Sequence, residues 1–120
     1  MQEIRSGTIA LIGLMGAGKT TVGRILAWQL DTTFVDLDAI IESESGSSVS
    51  DLFALHGEAE FRALEHQALE RTLGSGTGVM ACGGGTVLDP ANRDLLRTRC
   101  RAVWLEVNPI EAERRIAQDG

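Results

Sequence analysis

The sequence predicts an α/β fold, a parallel sheet between two layers of helices with a phosphate-binding P-loop after its first strand. Three observations predict it. The apolar run Thr8 to Ile12 leads into Gly13-Leu-Met-Gly-Ala-Gly-Lys-Thr20, and a helical pattern opens near Lys19. Further apolar or β-branched runs then alternate with helical patterns, each connection long enough for the crossover that parallel strands need. Finally, the P-loop, the pair Asp36/Asp38 and the triplet Gly83-Gly84-Gly85 each follow a strand. That puts them at the carboxyl edge of the sheet, where such folds bind ligands.

Taken in order, Thr8 to Ile12 is the first strand. The helix after it runs from about Lys19 to Leu30, with Val22, Ile25, Leu26 and Leu30 on one side. Thr32 to Asp36 is β-branched and aromatic and reads as a second strand. Ala39 to Ser45 is a short helix, Gly46-Ser-Ser a turn, and Val49 to Leu55 another short helix that stops before Gly57. Glu58 to Leu73 is a longer helix, with Phe61, Leu64, Leu69 and Leu73 at helical spacing. Gly74 to Gly78 is a loop, and Val79 to Cys82 a short buried strand. Asp89 as cap and Pro90 at the first position open a helix to about Arg99. Ala102 to Val107 is the fourth strand, and Asn108-Pro109 opens a last helix. No repeat or linker interrupts residues 1–120, which read as a single domain.

The strand–loop–helix setting gives the P-loop its chemistry. Gly13, Gly16, Ala17 and Gly18 let backbone N–H groups turn into one anion-binding hollow, with the positive end of the helix behind it. Lys19 reaches the β- and γ-phosphates of a nucleotide, Thr20 takes a place on Mg²⁺, and Thr21 continues the phosphate contacts. Lys19 is the only lysine among 11 basic residues, and it stands where a P-loop wants a flexible point charge.

Asp36 and Asp38 offer one carboxylate for the hydration shell of Mg²⁺ and one to accept a proton from, or orient, an acceptor hydroxyl. The alternative is a turn aspartate plus an N-cap. Arg62 follows Glu58 by four residues, which allows a surface pair. Glu65, however, falls within the apolar face of its helix, and a buried carboxylate needs a partner. Glu65 therefore orients Arg62 for a bidentate grip on a substrate carboxylate. Gly83 to Gly85 is either a tight strand exit or a place where backbone approaches a ligand. His56 and His66 have no evident partners, and Trp28 and Trp104 read as core.

Composition excludes several classes. The net charge of −6 disfavours nucleic acid and anionic membranes as partners. Ile9 to Ala17 is apolar like a signal-peptide core, but Glu3 precedes it and the run ends in the P-loop lysine. Cys82 and Cys100 lack zinc-site spacing and are too few for a disulfide framework, which points to a reducing cytoplasm.

With these residues assembled, the chain resembles the shikimate kinases. The resemblance rests on the P-loop, Phe34-Val-Asp-Leu-Asp38, Gly57-Glu-Ala-Glu-Phe-Arg-Ala-Leu-Glu65, Gly83-Gly-Gly85 and Val103-Trp-Leu-Glu106, in that order. It implies strand order 2-3-1-4-5 and transfer of the ATP γ-phosphoryl group to the 3-hydroxyl of shikimate, in aromatic amino-acid biosynthesis. On this resemblance Lys19 stabilises the transferring group, Thr20 and Asp36 hold Mg²⁺ directly or through water, and Asp38 engages the reacting hydroxyl. Arg62 with the triple-glycine backbone binds shikimate, and Arg115, next to Arg114, packs near adenine. A monomer is implied for the full family fold. Family members continue past Gly120 into a lid with an arginine, a fifth strand and a terminal helix, so the resemblance implies a chain truncated before the lid, with the fifth strand missing. Other expectations for the same residues are a different small-metabolite kinase of gluconate-kinase type, or a sensing domain that binds the ligand without phosphorylating it.

Overall fold

The computed structural model describes residues 7–13 and 18–105. The middle of the P-loop (Gly16 and Ala17 included), Arg115 and the expected last helix lie outside these residues.

Four strands form one parallel sheet in the order β2-β3-β1-β4: β1 Ile9–Ile12, β2 Phe34–Asp36, β3 Val79–Ala81 and β4 Arg101–Trp104. Register is set by Ile9 opposite both Val79 and Arg101, and by Phe34 opposite Val79. The helices are α1 Lys19–Gln29, α2 Leu37–Ser45, α3 Val49–Gly74 and α4 Pro90–Arg99, with a 3-10 turn at Thr86–Leu88. The order is the one expected, 2-3-1-4. The expectation of a missing fifth strand falls outside the described residues, and β4 is exposed along its length.

Because successive strand residues face opposite ways, the sheet feeds two cores. Ala10, Met80 and Cys82 pack with Leu37, Ile41, Leu52, Phe61, Leu69, Leu73 and Leu96 of the other helices. On the reverse face Leu11 and Val79 meet Ala27, with Ile9, Leu26, Phe34 and Leu105 around them.

The second face corrects the reading of α1. Of the predicted stripe only Leu26 packs inward: Val22, Ile25 and Leu30 are exposed, and the fully buried positions are Gly23 and Ala27. A Cβ on Gly23 would collide with the Phe34 ring and lie 3.2 Å from Leu11 Cδ1. The helix comes this close because its docking stripe is small. Trp28, next to Ala27 and about 100° round the helix from it, is 82% exposed, and Trp104 on edge strand β4 is 52% exposed. Neither tryptophan is core.

Local chemistry sets the helix starts. Asp36, at the end of β2, is the N-cap of α2, accepting from the Ala39 N–H at 3.2 Å, so the helix begins at Leu37 rather than Ala39. Ser48 caps α3 through the Asp51 N–H, and Asp89 caps α4 with Pro90 behind it. Within α3, Gly57 has φ 83° and ψ 170°, a region essentially reserved for glycine. It divides the element into the two helical stretches expected from sequence.

Candidate functional site

The carboxyl edge of the sheet gathers those predicted residues that are described. β1 delivers Gly13, and α1 starts behind Gly18, which is left-handed (φ 87°, ψ 24°) and brings no side-chain cap. The first-turn N–H groups thus have no capping side chain, which suits them to an anion. Lys19 Nζ donates to the Gly13 carbonyl at 2.5 Å, folding the side chain back toward the end of β1. Burial lowers the Lys19 ammonium below its ordinary value, opposed by Cys82, Asp38 and Asp36. Thr21 is exposed on the first turn of the same helix.

Asp36 serves two partners at once. Oδ1 caps α2, while Oδ2 lies 3.4 Å from Thr20 Oγ1. The cap reading and the metal reading therefore use different oxygens of one carboxylate. Among the described residues no cluster of three or more His, Cys, Asp or Glu could hold a metal. A hydroxyl beside one carboxylate fits Mg²⁺, which keeps several waters and takes the rest of its ligands from phosphates.

Asp38 sits one residue into α2, half-buried. Burial raises its carboxyl above the ordinary value; Asp36, Glu65 and Glu42 push the same way and Lys19 opposes. Its carboxylate lies against the glycine triplet: a Cβ on Gly83 would stand 2.8 Å from Oδ1. On the same turn a Cβ on Gly85 would collide with Arg62 Nη2. None of the three glycines has a positive φ. At Gly83 and Gly85, then, the requirement is absence of a side chain, with an acid on one and a guanidinium on the other. Gly84, between them, is exposed.

Arg62 is held as expected. Its Nη1 donates to Glu65 Oε1 at 2.8 Å, and its Cζ lies 5.6 Å and 5.5 Å from the ring centres of Phe53 and Phe61. Glu58 is also near, but at 3.6 Å from Nε it is too far for a hydrogen bond, and that buried Nε has no acceptor among the described residues. Glu65 is 1% exposed.

Three contributors escaped the sequence reading. Thr86 Oγ1 donates to Glu65 Oε2 at 2.9 Å, and Asn92 Nδ2 donates to Glu65 Oε1 at 3.4 Å and to the Thr86 carbonyl at 2.9 Å. His66, read as partnerless, has Nδ1 2.8 Å from Asn92 Oδ1. One signal was available: Asn92 stands four residues before Leu96 on the inner side of α4, and a polar residue there needs partners. Cys82 is buried close enough to Lys19 to affect its charge, and burial pushes its thiol up. It is packing, not an activated nucleophile.

A family model described as shikimate kinase matches residues 15–120. The chain belongs to the shikimate kinase family. It is 45% identical over 113 residues to the shikimate kinase of Moorella thermoacetica, an alignment covering 94% of this chain and 65% of that protein. Two solved family structures superpose with TM-scores of 0.88 at 37% identity. One is the Acinetobacter baumannii shikimate kinase in complex with shikimate, covering 94% of this chain and 63% of that one. The other, from Bacteroides thetaiotaomicron, covers 92% and 65%. The chain thus spans less than two thirds of the length of these family members.

Proposed function

We propose that the protein transfers the γ-phosphoryl group of ATP to the 3-hydroxyl of shikimate. The observation that carries this reading is the glycine turn of a shikimate kinase family member, with the Asp38 carboxylate on Gly83 and the Arg62 guanidinium on Gly85. One group suits a hydroxyl and the other a carboxylate, and shikimate carries both on one ring. The Acinetobacter relative that superposes on this chain is in complex with that compound.

Each residue then has a role. The α1 N-terminus with Gly13, Gly16, Ala17, Gly18 and Thr21 holds the phosphates, and Lys19 stabilises charge on the transferring group. Asp38 orients the acceptor hydroxyl and takes its proton; a carboxyl raised above its ordinary value is the better base for that task. Arg62 grips the ring carboxylate, with Gly83 to Gly85 as the floor. Arg115, outside the described residues, is assigned to the adenine on the family resemblance alone. Thr20 and Asp36 are the residues that would hold Mg²⁺, which when bound neutralises phosphate charge. No helix among the described residues is long and apolar enough to cross a membrane; the proposal takes the enzyme as a cytoplasmic monomer.

Calorimetry with ATP and with shikimate, followed by a coupled turnover assay, tests the assignment. Binding of both and turnover that Asp38→Asn lowers by on the order of 10²-fold or more is the expected result. Binding of ATP with no response to shikimate removes the substrate. Shikimate binding without turnover replaces the kinase by a sensing domain.

A further inference from the structure

The shikimate grip has a support that reaches into a different helix. Glu65, Thr86 and Asn92 are all buried, and the Asn92 side-chain N–H₂ faces the Glu65 carboxylate and the Thr86 carbonyl. Both partners only accept hydrogen bonds. The amide is therefore fixed with nitrogen inward and oxygen outward, and the group that meets that oxygen is His66 Nδ1, at 2.8 Å. Since an amide oxygen cannot donate, Nδ1 must carry a hydrogen. His66, on the same helix as Arg62 and Glu65, thus reaches across to Asn92 on α4, and Asn92 reaches back to the Glu65 oxygen that also holds Arg62.

We propose that Asn92, oriented by His66, is a positioning residue for substrate-carboxylate binding: it fixes Glu65 where Glu65 aims Arg62. This rests on the reading of Arg62 as the shikimate-carboxylate ligand. The Asn92–Glu65 contact at 3.4 Å is longer than the Arg62–Glu65 contact at 2.8 Å, so Asn92 guides the carboxylate and Arg62 supplies most of its charge compensation. Asn92 and His66 touch neither Lys19 nor the phosphate loop in any hydrogen bond described above. Their influence falls on one substrate only.

The test is Asn92→Leu, similar in size and without hydrogen bonds, assayed with shikimate and ATP after a circular-dichroism check of folding. The shikimate KM rises roughly tenfold, the size of effect expected for a lost hydrogen bond to a charged group. The ATP KM and kcat stay within about twofold, which general loosening of the domain would not give. Two-bond ¹H–¹⁵N spectra of the wild type place a proton on His66 Nδ1, and the variant loses that preference. An unchanged shikimate KM, or equal losses for both substrates, overturns the proposal. If Asn92→Leu does not fold, His66→Gln and His66→Leu decide it: the glutamine restores donation and keeps the shikimate KM, the leucine raises it, and identical behaviour of the two overturns it. Failure of the wild type to bind shikimate instead defeats the substrate reading, and the His66 spectrum then judges the network alone; a bare Nδ1 overturns it.

Discussion

Asp38 and Gly85 show how single residues divide stability from function. Asp38 has its carboxyl raised by burial and by Asp36, Glu65 and Glu42. The folded state therefore holds its proton to higher pH than the unfolded chain does, and the Asp38 contribution to stability falls as pH rises from the ordinary value through the raised one. Asp38→Asn removes that penalty. Thermal melts should show the variant more stable than wild type at neutral pH, with the gain vanishing in acid where both states are protonated, while turnover drops on the order of 10²- to 10⁴-fold. At Gly85 the added methyl of alanine meets the Arg62 guanidinium, a side-chain end already held by Glu65. Gly85→Ala should weaken shikimate binding in calorimetry by roughly tenfold or more, in the range of a disturbed charged hydrogen bond, and leave ATP binding as it was. Much of the candidate site was legible at this scale because its residues lie in short motifs: the P-loop, Asp36-x-Asp38, Arg62-x-x-Glu65 and the glycine triplet. Thr86, Asn92 and His66 were not, because their partners are 21, 27 and 26 residues away along the chain.

Two elements show where periodicity helps and where it misleads. Elements α3 and α4 were legible because turn residues and a special glycine punctuate them: Gly46-Ser-Ser precedes α3, Asp89 with Pro90 starts α4, and Gly57 divides the first. At Gly57 a Cβ would meet nothing within 4 Å, so only the backbone resists substitution. Gly57→Ala should lose about 1–3 kcal/mol in urea denaturation, the range for a residue held in such a region, with no packing defect to relieve. Helix α1 was misread because counting large apolar residues finds the wrong side when the buried stripe is Gly23 and Ala27. There the resistance is steric. Gly23→Val should destabilise by about 1–3 kcal/mol as overpacking does, and trimming the facing ring with Phe34→Leu should recover part of it in the double variant.

Across the molecule, the sheet order β2-β3-β1-β4 is what lets separated motifs share one margin. β1 stands between β3 and β4, so the P-loop leaves the sheet beside the glycine turn that follows β3, and β2 brings Asp36 and Asp38 along its other side. That order followed from the family resemblance, whereas alternation of strands and helices alone implied only a parallel sheet. With net charge −6, the surface does not attract an anion, so the proposed nucleotide binding depends on the local cradle. ATP with Mg²⁺ at about 100 times its Kd should stabilise the fold by about 2.7 kcal/mol if only the folded state binds, and Lys19→Met should remove most of that shift in a melting experiment.

The placement of the two tryptophans has a spectroscopic result. The chain contains no tyrosine, so Trp28 and Trp104 govern its near-ultraviolet emission, and both are already largely in water in the folded state. Their emission maximum lies close to that of the denatured chain and moves little on unfolding. Quenching by acrylamide, which carries no charge, should by contrast be efficient before any denaturant is added.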